Sequence, residues 1–123
     1  MKKILVVEDN PFNLDFLFEL LTMNGFNVDG AKEGNEAIQK ANKEIYDLIL
    51  MDIALPGIDG VGAMKIIKMI PLYNSIPIVA MTAFALRGDR EMYLKAGFDA
   101  YISKPINFPD LMKIIAKFRG SGV

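Results

Sequence analysis

The sequence predicts an α/β domain in which five strands of an open parallel sheet alternate with five helices. Short apolar runs rich in β-branched residues recur along the chain, and such continuous runs are typical of strands buried on both faces of a parallel sheet. Longer segments with apolar residues at helical spacing separate these runs. A chain of 123 residues has the length of one domain and can bury a core without disulfides.

The predicted elements alternate from the first run to the last helix. The strands are expected at residues 4–7, 26–31 (the weakest run), 48–51, 78–81 and 100–102. Asn10 caps the first helix and Pro11 begins it, while Gly25 and Gly97 follow helical segments at positions where a left-handed residue is common. The helical stripes are Leu14, Leu17, Phe18 and Leu21; Ala37, Ile38 and Ala41; Met64, Ile67 and Ile70; and Leu111, Ile114, Ile115 and Phe118. We expect a single domain at residues 1–119, a flexible tail at 120–123 and no output domain.

The composition excludes several classes of chemistry. The sequence has no cysteine and no histidine, which excludes disulfides, thiolate nucleophiles and imidazole general bases. A net charge of −1 gives no overall attraction to nucleic acid or to anionic membranes, and no apolar run approaches the roughly 20 residues of a membrane span. Chemistry must therefore depend on carboxylates, hydroxyls and lysine. We expect a cytoplasmic protein that contacts neither nucleic acid directly nor membrane.

Polar side chains follow four of the five predicted strands. Glu8 and Asp9 come after the first strand and Asp52 after the third. Thr82 and Lys104 come after the fourth and the fifth. Ligands of open α/β sheets bind beyond the carboxyl ends of the strands, and with a strand order of 2-1-3-4-5 Asp9 and Asp52 would face each other there. Each residue alone could be a cap or a solvated side chain, but independent caps would not all fall at neighbouring strand ends.

Converging carboxylates predict a hard divalent cation. They repel each other unless a cation compensates for their charge, and an ion held by one or two carboxylates and several waters fits Mg²⁺, with Mn²⁺ as an alternative. A carboxylate beside such an ion can attack a phosphoryl group and form an acyl phosphate. Thr82 offers a hydroxyl and Lys104 an ammonium to phosphoryl oxygens. Because the sequence has no GxxxxGK[ST] loop, it does not predict ATP as the direct donor.

Four short motifs occur in a recognisable order and spacing. They are Val7-Glu8-Asp9-Asn10, the run of residues 50–60 with Asp52, Pro56 and Gly57, Met81-Thr82-Ala83-Phe84, and Tyr101-Ile102-Ser103-Lys104-Pro105-Ile106. Each motif is weak alone, but together they resemble the response-regulator receiver family of two-component signalling along essentially the whole chain. The pattern is most similar to single-domain receivers of the cell-division type and to receivers of hybrid kinases.

The resemblance implies a flavodoxin-like fold with strand order 2-1-3-4-5 and a phosphoacceptor at Asp52. The donor would be a phosphohistidine on a sensor histidine kinase or a histidine phosphotransfer protein. Asp9, Asp52 and the backbone carbonyl of Ala54 are implied as metal ligands, with Glu8 acting through water. The chain would then be a signalling switch with slow self-dephosphorylation rather than an enzyme.

The resemblance also implies how the switch works. Thr82 and Tyr101 would form the switch pair, and Lys104 would contact the phosphoryl group and precede a cis peptide bond to Pro105. The last helix–strand–helix segment would change with phosphorylation and control a downstream protein target. That segment is mildly basic and includes Arg87, Arg90 and Lys113. The chain would be a monomer or a phosphorylation-linked dimer.

Three other functions stay open. A magnesium phosphohydrolase would also form an aspartyl phosphate, but it usually needs a second carboxylate two residues after the nucleophile, where this sequence has Ala54. A flavin carrier needs a phosphate-binding loop after the first strand, where Glu8 and Asp9 would repel phosphate. A degenerate receiver that only binds partners is disfavoured by the complete acidic set. Slow dephosphorylation is expected because Ala54 and Phe84 are apolar and cannot orient the attacking water.

The first helix carries two apolar stripes. Leu14, Leu17, Phe18 and Leu21 are predicted to face the sheet. The second stripe lies roughly opposite, and its members are Phe12, Phe16, Leu20 and Met23. Because exposed apolar patches often mark interaction sites, Phe12, Phe16 and Leu20 are predicted to dock the phosphoryl donor.

Overall fold

The structure, a computed structural model, describes residues 3–83 and 88–120. Its strands are β1 (Lys3–Val7), β2 (Asn27–Ala31), β3 (Leu48–Asp52), β4 (Ile78–Thr82) and β5 (Ala100–Ser103). Its helices are α1 (Pro11–Met23), α2 (Gly34–Lys43), α3 (Gly60–Lys68), α4 (Asp89–Ala96) and α5 (Phe108–Gly120), with a 3₁₀ turn at Pro71–Asn74. Helix α5 thus includes Gly120, the first residue of the predicted tail. In the described ranges no helix is long and apolar enough to cross a membrane.

The five strands form one parallel sheet in the order β2-β1-β3-β4-β5, which confirms the predicted fold and strand order. In this sheet Val7 lies beside Met51, and Met51 lies beside Ala80. The chain goes outward from β1 in both directions, to β2 on one side and to β3 on the other. The carboxyl ends of β1 and β3 therefore flank the crevice at which open α/β sheets bind ligands.

Successive residues of each strand contribute to two separate hydrophobic cores. Leu5, Ile49 and Ala80 pack on the face that α2 and α3 cover. Val6 and Leu50, one residue further along their strands, pack against α1 and α5 on the other face. Burial on both faces is the physical reason why these strands are continuous apolar runs rather than alternating ones.

The predicted helix boundaries are confirmed at three positions. Asn10 caps α1, because its Oδ1 accepts hydrogen bonds from the backbone N–H groups of Phe12 (2.9 Å) and Asn13 (3.2 Å). Gly25 and Gly97 follow α1 and α4 with φ angles of +90° and +128°. Residues with a Cβ rarely adopt such angles, so glycine is the suitable residue there.

The prediction that Phe18 belongs to the buried stripe of α1 is wrong. Leu14, Leu17 and Leu21 are buried, whereas Phe18 is 41% exposed. Around the helix Phe18 lies about 40° beyond Leu14, which places it at the margin of the stripe. Its ring is therefore only partly covered.

Candidate functional site

Three carboxylates lie together at the carboxyl ends of the neighbouring strands β1 and β3. Glu8 and Asp9 follow β1, and Asp52 is the last residue of β3. One oxygen of each side chain lies within 4.8 Å of the others. Glu8 and Asp52 are buried, whereas Asp9 is exposed. The fold thus brings together the three carboxylates that were predicted to converge.

Lys104 is the cation of this cluster. Its Nζ lies 2.7 Å from Oε1 of Glu8 and 3.0 Å from Oδ2 of Asp52. Its backbone is held beside β4, because its N–H donates to the carbonyl of Thr82 at 2.8 Å. The peptide bond that follows, Lys104–Pro105, is cis, as predicted. One lysine therefore compensates for part of the charge of three carboxylates.

Both oxygens of the Asp52 carboxylate are held by the protein. Oδ1 accepts a hydrogen bond from the backbone N–H of Ala54 at 3.1 Å, and Oδ2 accepts one from Lys104. The next residue, Ile53, donates its N–H to the carbonyl of Met81 at 3.0 Å and so extends the pairing of β3 with β4. The side chain of Asp52 is therefore oriented at the end of a rigid strand.

The neighbours of Glu8 use only part of the hydrogen-bonding capacity of its carboxylate. Its Oε2 accepts a hydrogen bond from the N–H of Asn10 at 3.1 Å. Its Oε1 is ion-paired with Lys104 but, of the buried side-chain oxygens and nitrogens in the described ranges, it is the one without a hydrogen-bond partner. Burial raises the pKa of Glu8, and Asp52 raises it further, although Lys104 and the Asn10 N–H oppose the shift.

Lys104 carries the positive charge that faces the Glu8 carboxylate. Burial alone would lower the pKa of its ammonium group, but the nearby carboxylates of Glu8 and Asp52 outweigh burial and raise the pKa. The group is therefore held in its charged form. A charged lysine at this position can contact either a carboxylate or a phosphoryl oxygen.

The donor set fits a magnesium ion. Carboxylate and carbonyl oxygens are the ligands that hard divalent cations prefer, and Mg²⁺ keeps several waters when bound by one or two carboxylates. Asp9 is exposed beside two buried carboxylates, so an ion there could retain water. Ala54 lies next to the cluster because its N–H contacts Asp52; its carbonyl stays a predicted ligand.

Thr82 and Tyr101 occupy the same face of the sheet. Thr82 is buried at the end of β4, one residue beyond Met81, which lies beside Asp52. Successive strand residues point to opposite faces, so Thr82 shares a face with Ala80, and Ala80 pairs with Tyr101. The Tyr101 ring is half-buried and stacks on Tyr93, with 6.1 Å between ring centroids.

The apolar surface predicted on α1 is partly exposed. Phe12 is 82% exposed and Phe16 is 52% exposed, whereas Leu20 is half-buried and packs against the core. Sequence reasoning missed a cleft of about 450 Å³ that joins this surface to the acidic cluster. The cleft is lined by Glu8, Asn13, Phe16, Leu17, Ala83, Lys104, Pro105 and Ile106. The signal available in the sequence was the apolar pair directly after Lys104. Phe84 and Arg87 lie outside the described residues.

Comparisons with known proteins agree with this geometry. The family model of the response regulator receiver domain matches residues 4–116. The polar-differentiation response regulator DivK of Brucella ovis is 38% identical over 119 residues, which are 97% of this chain and 97% of that protein.

Two solved structures show the same fold. The receiver domain of a sensor histidine kinase from Pseudomonas aeruginosa is 39% identical, has a TM-score of 0.89 and covers 97% of this chain and 98% of its own; a magnesium ion is coordinated in its active-site cleft. The chemotaxis protein CheY4 of Vibrio cholerae is 27% identical, with a TM-score of 0.90 and coverage of 96% and 98%. On this evidence the chain belongs to the response regulator receiver domain family.

Proposed function

We propose that this chain is a response regulator that accepts a phosphoryl group on Asp52 from a phosphohistidine, with Mg²⁺ as the cofactor. The phosphohistidine would be carried by a sensor histidine kinase or a histidine phosphotransfer protein. The observation that carries the proposal is the Asp52 carboxylate, which is held by the Ala54 N–H and by Lys104 beside two further carboxylates. A cluster with this charge needs a cation, and an oriented carboxylate beside a cation can act as a nucleophile.

The residues of the cluster would divide the work of phosphoryl transfer. An oxygen of Asp52 attacks phosphorus in line with the leaving imidazole nitrogen. Asp9, Asp52 and the Ala54 carbonyl would hold the metal, and Glu8 would act through water. A bound Mg²⁺ supplies positive charge that offsets the charge of the phosphoryl oxygens. Lys104 would exchange its contact with Asp52 for one with a phosphoryl oxygen.

Thr82 and Tyr101 would carry the signal away from the phosphorylated site. A phosphoryl oxygen would draw the Thr82 hydroxyl towards Asp52 and leave space that the Tyr101 ring can fill on the same face of the sheet. The α4–β5–α5 surface, which includes Arg90 and Lys113, would then present a different shape to a downstream protein. A shift from a rare to a dominant active state needs about 5 kcal/mol of differential binding, which a doubly charged group contacting Lys104 could supply.

The partner that donates the phosphoryl group would dock on α1. The cleft connects Phe16 with Lys104, so a helix that carries the donor histidine could cover the exposed rings of Phe12 and Phe16 and still reach Asp52. Leu20 would contribute less, because it already packs against the core. The proposed location is the cytoplasm, where the ATP that charges a histidine kinase is found.

The phosphorylated state is proposed to be long-lived. Hydrolysis of an acyl phosphate needs a water aligned for attack, and the exposed methyl group of Ala54 cannot orient one. The Ala54→Asn variant should therefore lose its phosphoryl group faster than the wild type.

Phosphorylation by small donors tests the proposal without knowledge of the partner. Acetyl phosphate, or phosphoramidate with its phosphorus–nitrogen bond, should add one phosphoryl group to the wild type when Mg²⁺ is present, as read by intact mass. Asp52→Asn should abolish the addition. Asp59→Asn is the matched control, because Asp59 caps α3 outside the cluster and should leave labelling unchanged. Labelling of Asp52→Asn at the wild-type rate would contradict the proposal.

A further inference from the structure

Gly60 lets the start of α3 lie against the backbone of the phosphoacceptor. Its N–H donates to the carbonyl of Ile53 at 3.0 Å. A Cβ at this position would lie 2.2 Å from the carbonyl oxygen of Asp52 and 2.8 Å from Cα of Ile53. Real Cβ atoms essentially never come within 3.0 Å of another heavy atom. Both atoms belong to the backbone, so no side-chain rotation could relieve the contact.

Gly34 makes a similar approach from a second helix. It begins α2, and a Cβ there would lie 2.7 Å from the carbonyl oxygen of Ile58. Ile58 belongs to the same β3–α3 loop, residues 53–59, that α3 holds at Gly60. Two helices therefore contact this loop at positions where a Cβ atom does not fit.

Backbone conformation does not explain these two glycines. The glycines with positive φ angles in the described ranges are Gly25, Gly57, Gly88 and Gly97, and neither Gly34 nor Gly60 is among them. Glycine is also a weaker helix former than alanine. Space, rather than φ, is what requires glycine at both positions.

The loop in question carries the backbone of the acidic cluster. The N–H of Ala54 holds Oδ1 of Asp52, and the Ile53 carbonyl accepts hydrogen bonds from Gly60 and from Leu55 (3.2 Å). A displacement of the Asp52–Ile53 peptide would therefore move the Ala54 amide and carbonyl together. A misplacement of about 1 Å can reduce the rate of a well-oriented reaction by about 100-fold.

We propose that Gly60, and more weakly Gly34, are positioning residues that set the place of the Asp52–Ala54 backbone, and thereby the affinity for Mg²⁺ and the rate of phosphorylation. This inference rests on the proposed function. It predicts a graded series of alanine variants, in which the effect follows the closeness of the new Cβ to the loop backbone.

The chain supplies a matched control in the same helical turn. A Cβ at Gly62 would meet side-chain atoms, Cγ2 of Ile58 at 3.1 Å and Oδ1 of Asp59 at 3.3 Å. Leu21→Ala is a second control, since it truncates a fully buried side chain near the end of α1 that lies away from the site. It separates a loss of positioning from a general loss of stability.

The test measures the Mg²⁺ dissociation constant by amide NMR, together with the melting temperature and the rate of labelling by acetyl phosphate at saturating Mg²⁺. Gly60→Ala should raise the dissociation constant about 10- to 100-fold and slow labelling. Gly34→Ala should have a smaller effect, and Gly62→Ala and Leu21→Ala should keep the wild-type dissociation constant. A Gly60→Ala variant that binds Mg²⁺ as Gly62→Ala does would overturn the inference.

Two further outcomes also support or overturn the inference. If Gly60→Ala does not fold, Gly34→Ala must bind Mg²⁺ more weakly than Gly62→Ala, and equal affinities would overturn the inference. If the wild type takes up no phosphoryl group, the proposed function fails separately. The Ala54 amide shift of the metal-free proteins then decides the positioning role: a shift changed in Gly60→Ala but not in Gly62→Ala supports it, and equal shifts reject it.

Discussion

The two ends of the sheet both carry ionisable side chains, but the charges and hydrogen bonds of these side chains are paired differently. At the amino end, five side chains form what we call the amino-end network: Lys3, Asp29, Glu44, Tyr46 and Tyr73. Lys3 pairs with Glu44 and lies 3.9 Å from Asp29. The Tyr46 hydroxyl donates to Asp29 at 2.7 Å. The Tyr73 hydroxyl donates to the carbonyl of Glu44 at 2.7 Å and accepts the N–H of Tyr46 at 3.1 Å.

Among the residues that the structure describes, the carboxyl end has more carboxylates than cations. Lys104 pairs with Glu8 and Asp52 there, Asp9 lies in the same cluster, and a buried oxygen of Glu8 is ion-paired but has no hydrogen bond. Buried polar groups are normally paired when their role is structural. Among the described residues, the amino-end network is therefore more fully paired than the carboxyl end, which fits our proposal that the carboxyl end receives a cation and a phosphoryl group.

Removing a carboxylate from the carboxyl end should have the largest effect on metal binding. Asp9→Ala should weaken Mg²⁺ binding by at least about 10-fold, because it removes a proposed ligand. Metal-free thermal stability should stay unchanged or rise, since like charges no longer repel. Calorimetric Mg²⁺ titration and thermal melting measure the two quantities. The control is Asp15→Ala, an exposed carboxylate on α1; Mg²⁺ affinity equal to the wild type in Asp9→Ala would place the ion elsewhere.

The opposite pattern is expected for the amino-end network. Tyr73→Phe removes a buried hydroxyl and leaves the Glu44 carbonyl and the Tyr46 N–H without this partner, so the free energy of unfolding should fall by about 1–3 kcal/mol. Denaturant unfolding measures the loss. Mg²⁺ affinity should not change. A parallel loss of Mg²⁺ affinity would show that the two ends are coupled and would break the comparison.

The pH dependence of metal-free stability should reflect Glu8. Its pKa is raised in the folded protein above the ordinary value of 4.5, so the folded state binds this proton more tightly than the unfolded state does. Stability should therefore decrease as the pH rises from about 4.5 through the raised pKa. Melting temperatures of the wild type and Glu8→Gln across this range test the assignment. The decrease should be weaker in Glu8→Gln and at saturating Mg²⁺, and an identical decrease in Glu8→Gln would reject it.

The smallest effect on stability is expected at the surface of α1. Phe16→Ala should change the free energy of unfolding by about 0.5 kcal/mol while slowing phosphotransfer from the cognate kinase. Labelling by acetyl phosphate should stay unchanged. Met23→Ala is the control, because Met23 lies on the same stripe at the far end of α1 and is 83% exposed. A loss of about 3 kcal/mol or more in Phe16→Ala would identify a core residue instead.

The features that the sequence predicted are those that depend on local pattern. Continuous apolar runs located the strands, and their carboxyl ends located Asp9, Asp52 and Lys104, because parallel strands end at one edge of the sheet. Motif resemblance then supplied the strand order, which the structure confirms, whereas the roles that it implies for the site residues stay predictions.

The features that the sequence did not predict depend on distances between elements. The exposure of Phe18 depends on how far the neighbouring elements extend over a helix margin. The close approach of Gly60 to Asp52 and the bond from Tyr73 to Glu44 arise only when separate segments pack. Neither hydrophobic periodicity nor composition predicts such contacts. Each contact joins two residues whose separation along the chain does not follow the period of a helix or a strand.

The most direct test of the difference between the two ends is an amide NMR titration of the metal-free protein with Mg²⁺. We expect saturable shifts at residues 8–10, 52–54 and 104, with unchanged amide shifts at Lys3, Asp29 and Glu44. Shifts centred on the amino-end network, or the absence of saturable shifts near Asp52, would contradict it.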